Sequence, residues 1–348
     1  MRERKSLTLV CIACLVLGLA ALPFLGACAA KPQQQIEWRM QSMYPAGDTS
    51  TIAHGVPLVN ALNEKLAGKL HITLYMPGDI VPEDQMFDAL SKGVYDAALT
   101  SATWSTGVMP AGVVAFGMPL GWQNYDQVFE FFNKYGFLKF MRDLSAEHNV
   151  YYVAPLPEGA LPIQSNFAFQ KADDIKGKKI WAKGSNEAYI KALGGTPVSM
   201  PFSEIYMALK LGTIDGAMTT TSDLEFMGRK EVTKYVNWPS PINPLCIEFI
   251  TNLDAWKALP ADVQKTIEDT VAELQPLMYQ NYLFNDEIGL KKFREYGGQE
   301  ITIDPSELPK LRAAALQVWN EIAAQDAKSA EAIKMLKDYL TAKGITME

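Results

Sequence analysis

Residues 176–222, KGKKIWAKGSNEAYIKALGGTPVSMPFSEIYMALKLGTIDGAMTTTS, permit few folds. Lys179–Ala182 is a short apolar-centred run opened by a Gly-containing turn. In Asn186–Leu193, Tyr189, Ile190 and Leu193 fall on one side of a helix that stops at Gly194-Gly195. Pro197–Met200 reads as extended, Ser203–Leu211 as a second helix stopped by Gly212, and Thr213–Met218 as a strand emptying into Thr219, Thr220 and Thr221. Helices of two to three turns between short apolar strands are βαβ units on a parallel sheet. Ligands of such sheets bind beyond the carboxyl ends of the strands, which makes Trp181 to Gly184 and Thr219 to Ser222 the first site candidates.

The end of this stretch has a second copy. Ala89-Leu90-Ser-Lys-Gly93-Val-Tyr-Asp96-Ala-Ala98-Leu-Thr100 matches Ala208-Leu209-Lys-Leu-Gly212-Thr-Ile-Asp215-Gly-Ala217-Met-Thr219 without a gap. Each copy is a helix end, a Gly cap, a tight turn and a strand finishing in Thr. Two similar α/β lobes facing one cleft account for the repeat. Asp96 and Asp215 are then turn residues whose carboxylates bond the nearby backbone.

The amino terminus is an export signal. Arg2, Arg4 and Lys5 precede an apolar run from Leu7 to Leu22, too short to span a membrane, and Leu25-Gly26-Ala27-Cys28 matches the bacterial lipoprotein box. Cys28 is thus the expected lipidated first residue, with residues 1–27 removed and 28–35 a tether. Cys11 and Cys14 leave with the signal, so a lipidated Cys28 leaves Cys246 alone and excludes a disulfide. Losing Arg2, Arg4 and Lys5 together with Glu3 takes the formal charge from −7 to −9. An acidic chain without basic clusters is not built for nucleic acid or anionic lipid surfaces.

Along the mature chain, Ile36–Ser42 reads as a strand, Thr51 to Leu66 as a helix, His71–Tyr75 as a strand and Tyr125–Met141 as one aromatic-rich helix. Residues 155–162 and 235–244, both rich in Pro, read as crossovers between lobes. Pro260 to Tyr296 has the stripe of one long helix or two abutting ones, with Pro276 well inside, and two closing helices follow. The expected partition is 36–157 plus 247–285 for the first lobe and 158–246 plus 286–348 for the second. His54, His71 and His148 lack metal-ligand spacing. No Walker loop, GxGxxG, GxSxG or HExxH occurs, so neither a cofactor nor catalytic machinery is indicated.

The run DDIKGKKIW…ALGGTPVSMPFSEIYMALKLGTIDGAM resembles the signature of solute-binding proteins of tripartite ATP-independent periplasmic (TRAP) transporters, dicarboxylate-receptor type: DLKGLKIR, then ALGA-P-V-PF-E-Y-AL-G-DG. The similarity runs from about Trp38 to Gln264. MQSMYPAGDTS and DALSKGVYDAALTSATW resemble the 2-oxoacid branch of that family. The resemblance implies a two-lobe periplasmic-binding-protein-like α/β fold with hinge strands, a long helix spanning both lobes, closure on a small molecule, and delivery to membrane subunits driven by an ion gradient.

The resemblance also marks departures. The Arg of KIR, which pairs the ligand carboxylate bidentately, is Trp181 here; a second basic position of some members aligns with Leu161, and the metal-holding acid of the oxoacid branch with Met218. Both carboxylate clamps and the metal site are therefore expected to be missing. Trp181 is open to three readings: a platform for an uncharged ring, a polyol or a cation; a bystander to a relocated carboxylate partner at Lys183 or Arg39; or hinge packing. Glu158 suits a hydroxylated or amine-bearing ligand or is a solvated loop charge. Thr100, Ser101, Thr219 and Thr220 are candidate contacts at the two strand ends, with Gln41 and Trp104 from the same cleft; Thr221 and Ser222 are candidate caps of the next helix. The leading expectation is a lipid-anchored receptor for a small polar ligand outside the usual clamp chemistry. An organic-acid receptor, a ligand-sensing partner of a membrane signalling protein and an exported enzyme are the alternatives.

Overall fold

The computed structural model describes residues 35–240 and 245–345. The expected export signal, Cys28 and the expected tether up to residue 34 lie outside them. Two sheets organise the described residues. The first contains β1 (Ile36–Ser42), β2 (Leu70–Tyr75), β3 (Ala97–Thr100), β4 (Val150–Glu158) and β10 (Leu245–Asn252), in the order β2-β1-β3-β10-β4. The second contains β5 (Ile163–Ser165), β6 (Lys179–Trp181), β7 (Thr196–Val198), β8 (Gly216–Met218), β9 (Tyr235–Asn237) and β11 (Gln299–Ile301), in the order β11-β9-β5-β8-β6-β7.

β1 runs parallel to β2 and β3, and β6 parallel to β7 and β8, as the βαβ reading requires. β10 is antiparallel to both β3 and β4 because it re-enters the first sheet from the second lobe. β4 and β10 are therefore the linking strands, and Glu158 pairs with Leu245 where they leave the first sheet. Residues 159–162 form the first crossover. The second begins later than expected, since Tyr235–Asn237 is a strand paired with β5 and β11.

The repeat has a common geometry. Gly93 and Gly212 both hold φ near +70°, values of +70° and +69°, a conformation glycine enters without Cβ strain. Asp96 then accepts the Arg39 N–H at 2.8 Å, and Asp215 accepts the Lys179 N–H at 2.8 Å. Each carboxylate thus ties its own turn to the neighbouring parallel strand, β1 in one lobe and β6 in the other.

Pro260 to Tyr296 is one helix, Ala261–Glu295, with Pro276 inside it. At 1.5 Å per residue it is roughly 50 Å long, enough to cross the whole molecule. Val263, Ile267 and Val271 enter the larger core beneath the first sheet, whereas Leu290 and Phe293 pack with Leu224 and Val236 of the second lobe. Tyr125–Met141 is not one helix: Gly136, at φ +80°, separates Tyr125–Lys134 from Phe137–Ala146. The last helix, Ala327–Ala342, was expected with the second lobe but packs on the first. Tyr339 meets Phe131 at a tilt and Tyr135 edge-on, and Lys343 pairs with Glu130 at 2.5 Å. Amphipathic spacing says that a terminal helix covers something, not which lobe it covers.

Candidate functional site

The lobes meet over a cavity at the strand ends. Four contacts bridge them around it. Tyr44 meets Phe202 edge-on at 5.9 Å, the Lys183 ammonium lies 4.0 Å from the Trp104 ring centroid, Ser185 donates to the Gly117 carbonyl at 3.0 Å, and the Phe202 N–H points to Glu83 at 3.4 Å. Gly184, at φ +61°, sits so close to Thr103 that a Cβ there would lie 2.7 Å from its methyl. The enclosed space leaves about 50 Å³ for the centres of water-sized spheres, room for several waters or a ligand of few heavy atoms.

Ser101, Trp104, Glu158, Trp181, Lys183, Thr219 and Thr220 all line this cavity, and so do Leu161 and Met218, where the family signature would put charge. Trp181 is held as a wall: its indole N–H donates to the Met200 carbonyl at 3.1 Å and its ring meets Phe202 edge-on at 5.8 Å. Glu158 is not a solvated loop charge. It is buried, and accepts a hydrogen bond from the Ser50 hydroxyl at 2.5 Å.

Three expected residues are elsewhere. Arg39 is exposed on the outer face of β1, donating to the Val94 carbonyl, because its neighbours Trp38 and Met40 take the core side. Gln41 is buried but spent on structure: its amide donates to the Val81 carbonyl at 2.8 Å and accepts the Ile80 and Val81 N–H groups. Thr100 points at the Met43 sulfur at 3.6 Å. The repeat therefore delivers Thr219 to the cavity but not its counterpart.

Sequence reasoning missed the acidic side of the site. Asp48 accepts the Ser50 N–H at 2.7 Å and also lines the cavity. Asp223 lines it too, and its Oδ2 accepts from the Arg229 guanidinium at 2.7 Å, with 1% and 2% of the two side chains exposed. The guanidinium in turn lies 4.6 Å from the centroid of Phe202. Asp223 Oδ1, Asn186 Oδ1 and Thr219 Oγ1 are buried and have no hydrogen-bond partner among the described residues. No local pattern announces this set, since its members come from segments far apart in the chain.

The electrostatics follow from burial. Burial, then the neighbouring Asp223 charge, pushes the Asp48 carboxyl up to about 8. Glu158 is also pushed up to about 8, by burial first and then by Asp48, Asp223 and Asp286, with the Ser50 hydrogen bond opposing. Lys183 is lowered by burial, against the attraction of Glu187, Glu83 and Asp84. The cavity thus gathers three carboxyl groups, while its lining cation is turned onto Trp104 and hydrogen-bonded to Ser199. Among the described residues no group of three or more His, Cys, Asp or Glu converges to hold a metal ion, and no helix is long and apolar enough to cross a membrane.

The family model for bacterial extracellular solute-binding protein family 7 matches residues 41–326. The chain belongs to that family. Its members include the receptors of TRAP transporters, and they bind solutes rather than transform them. The chain is 24% identical over 310 residues to a monocarboxylate 2-oxoacid-binding periplasmic protein of Nostoc sp., covering 87% of this chain and 84% of that one. It is 23% identical over 258 residues to the ectoine-binding periplasmic protein TeaA of Halomonas elongata, covering 73% of each. A TRAP periplasmic solute-binding protein of Chromohalobacter salexigens, solved with bound (S)-(+)-2-amino-1-propanol, superposes with a TM-score of 0.80 at 22% identity. That match covers 88% of this chain and 96% of that one. The family 7 chain described here therefore shares the two-lobe receptor fold.

Proposed function

We propose that this protein is the extracytoplasmic receptor of a TRAP-type uptake system for a small amine-bearing solute. One observation carries the reading: the cavity is walled by Asp48, Glu158 and Asp223, with Asp223 Oδ1 unpartnered among the described residues and Trp181 in place of the family's clamp arginine. An ammonium group is a donor-only cation, the complement of such an acceptor-rich site. The Trp181 and Phe202 rings supply apolar and cation-accepting faces for the carbon skeleton. The Chromohalobacter protein binds an amino alcohol, in keeping with this chemistry. Closure of the lobes follows from ligand contacts made only when both walls are present. Cys28, outside the described residues, supplies the lipid anchor, and the membrane subunits of the transporter are the partners.

The second reading is an organic-acid receptor with a relocated clamp, favoured by Lys183 at the cavity wall and by the 2-oxoacid-binding relative. A thermal-shift screen separates the two. Protein stripped of ligand by unfolding and refolding is offered 2-amino-1-propanol and other small amines, polyols, pyruvate and dicarboxylates. At a hundred times its dissociation constant a ligand adds about 2.7 kcal/mol, a shift of several degrees for a chain this long. Stabilisation by amines supports the proposal; stabilisation by carboxylates alone replaces it with the second reading.

A further inference from the structure

The long helix carries a row of residues of which Tyr282 alone lines the cavity. Tyr282, Asp286 and Gly289 are spaced i, i+4 and i+7 and so share one helix face. They engage three successive residues of the binding loop. The Tyr282 hydroxyl donates to Thr220 Oγ1 at 3.2 Å, Asp286 Oδ1 accepts the Ser222 N–H at 2.8 Å, and Gly289 presses so closely on the Thr221 carbonyl that a Cβ there would overlap it.

The same carboxylate touches the first crossover. Asp286 Oδ2 packs against Gly159, where a Cβ would overlap it, and the Ala160 N–H stands beside the carboxylate. Only 3% of Asp286 is exposed and it does not line the cavity, so it is not a ligand contact. Tyr282 extends the connection, its hydroxyl lying 3.4 Å from the Ser50 hydroxyl that donates to Glu158 at the end of β4.

We infer that Asp286 is a positioning residue that joins the crossover at Gly159–Ala160 to the binding loop at Thr220–Ser222, so that rotation at the crossover and placement of the loop's ligand groups occur together. The carboxylate sits at a junction with the crossover on one side and the loop on the other. Glycine at 159 and at 289 lets both backbones reach it. The inference holds for any ligand, because it concerns how the loop is set before a ligand arrives.

Hydrogen exchange on the ligand-free protein tests it independently of the ligand's identity. Asp286→Ala should speed exchange about tenfold, the loss of one buried hydrogen bond, in segments 219–224 and 158–161 together. The amides of β3 and β10 should keep their wild-type protection. Asp286→Asn, which retains an acceptor for the Ser222 N–H, should recover protection in both segments. Acceleration confined to 219–224, with the crossover unchanged, would overturn the inference, as would a uniform loss across both sheets. If Asp286→Ala does not fold, Gly289→Ala decides the matter. It displaces the loop from the helix, and acceleration must again appear at 158–161 as well as at 219–224; a response of the loop alone overturns the coupling.

Discussion

Arg229 donates to Asp223 at 2.7 Å with both side chains almost wholly buried, and this pairing leaves the second carboxylate oxygen of Asp223, a residue of the cavity lining, without a hydrogen-bond partner among the described residues. A buried charge pair of this kind costs desolvation, and its removal by halves costs more. Its value in the proposed function is orientation: the guanidinium, 4.6 Å from the Phe202 centroid, fixes one oxygen and leaves the other without a partner among the described residues. Arg229→Met should destabilise the protein by about 3–5 kcal/mol in urea unfolding, since it strands Asp223 without its partner. A loss below about 1 kcal/mol would mean that the carboxylate relaxes to another partner and is not held by Arg229.

Trp181→Arg restores the family's clamp side chain in a cavity that already contains three carboxyl groups. It should weaken binding of 2-amino-1-propanol at least about tenfold, ~1.4 kcal/mol, and open the site to pyruvate, both read by titration calorimetry. Unchanged selectivity would remove Trp181 from the list of residues that define the ligand.

Lys183→Met takes away the cation that lines the cavity while keeping a stem that covers Trp104. Amine affinity should rise by a few-fold, roughly 1 kcal/mol at most because the group is part-exposed at the mouth. A collapse of affinity for amines, or a loss of measured carboxylate binding, would point instead to the relocated clamp.

The pH dependence has a definite sign. Asp48, Glu158, Glu248 and Asp286 are each pushed up to about 8, in every case by burial first, against about 4 for a carboxyl in the unfolded chain. Between about pH 4 and 8 the unfolded chain has released these protons and the native protein retains them. The stability they contribute is thus complete below about pH 4 and lost as the pH rises through 8. Unfolding free energy should fall over that interval. Glu248 on β10 isolates one part, for its two oxygens have no partner among the described residues and burial is its sole cause of shift. Glu248→Gln should stabilise the protein at pH 8 relative to pH 5 by on the order of 1–3 kcal/mol, and a flat difference would contradict the assignment. A cationic ligand reverses the effect at the cavity. It favours the ionised Asp48 and Glu158, so amine binding at pH 7 should release protons, seen as a buffer-dependent binding enthalpy.

Asp96 and Asp215, the repeated turn acids, each accept one backbone N–H of a neighbouring strand. Asp96→Ala and Asp215→Ala should each cost about 1 kcal/mol, additively, because they lie in different lobes and share no partner. Strong coupling in the double variant would mean that the two turns communicate.

How far the sequence reached differs from element to element. The alternation of helix, Gly stop and short strand in 176–222 is local chemistry, and β6, β7 and β8 form where it places them. The helical character of 260–296 was legible too, but whether Pro276 left one helix or two abutting ones was decided by the structure, where Ala261–Glu295 is continuous. The single helix expected over 125–141 failed on one residue, Gly136, whose left-handed φ breaks a pattern that the hydrophobic period alone carries through. In the site, Trp181, Lys183, Glu158, Thr219 and Thr220 were legible because they stand at strand ends or at the crossover, positions that topology turns inward. Arg39 and Gln41 were misplaced: β1 sends alternate side chains to opposite faces, and Gln41 is occupied by a loop forty residues away.

The sequence by itself determined the family and the two-lobe α/β architecture, because each repeat copy and the motif at 176–218 are runs of residues close together in the chain. The acidic wall was decided only in three dimensions. Asp48, Glu158 and Asp223 belong to separate segments and become one electrostatic unit when both lobes close over them. Their common environment, which pushes Asp48 and Glu158 up to about 8 and leaves an oxygen of Asp223 unpartnered among the described residues, is a property of burial, and burial is written by the fold rather than by any one segment.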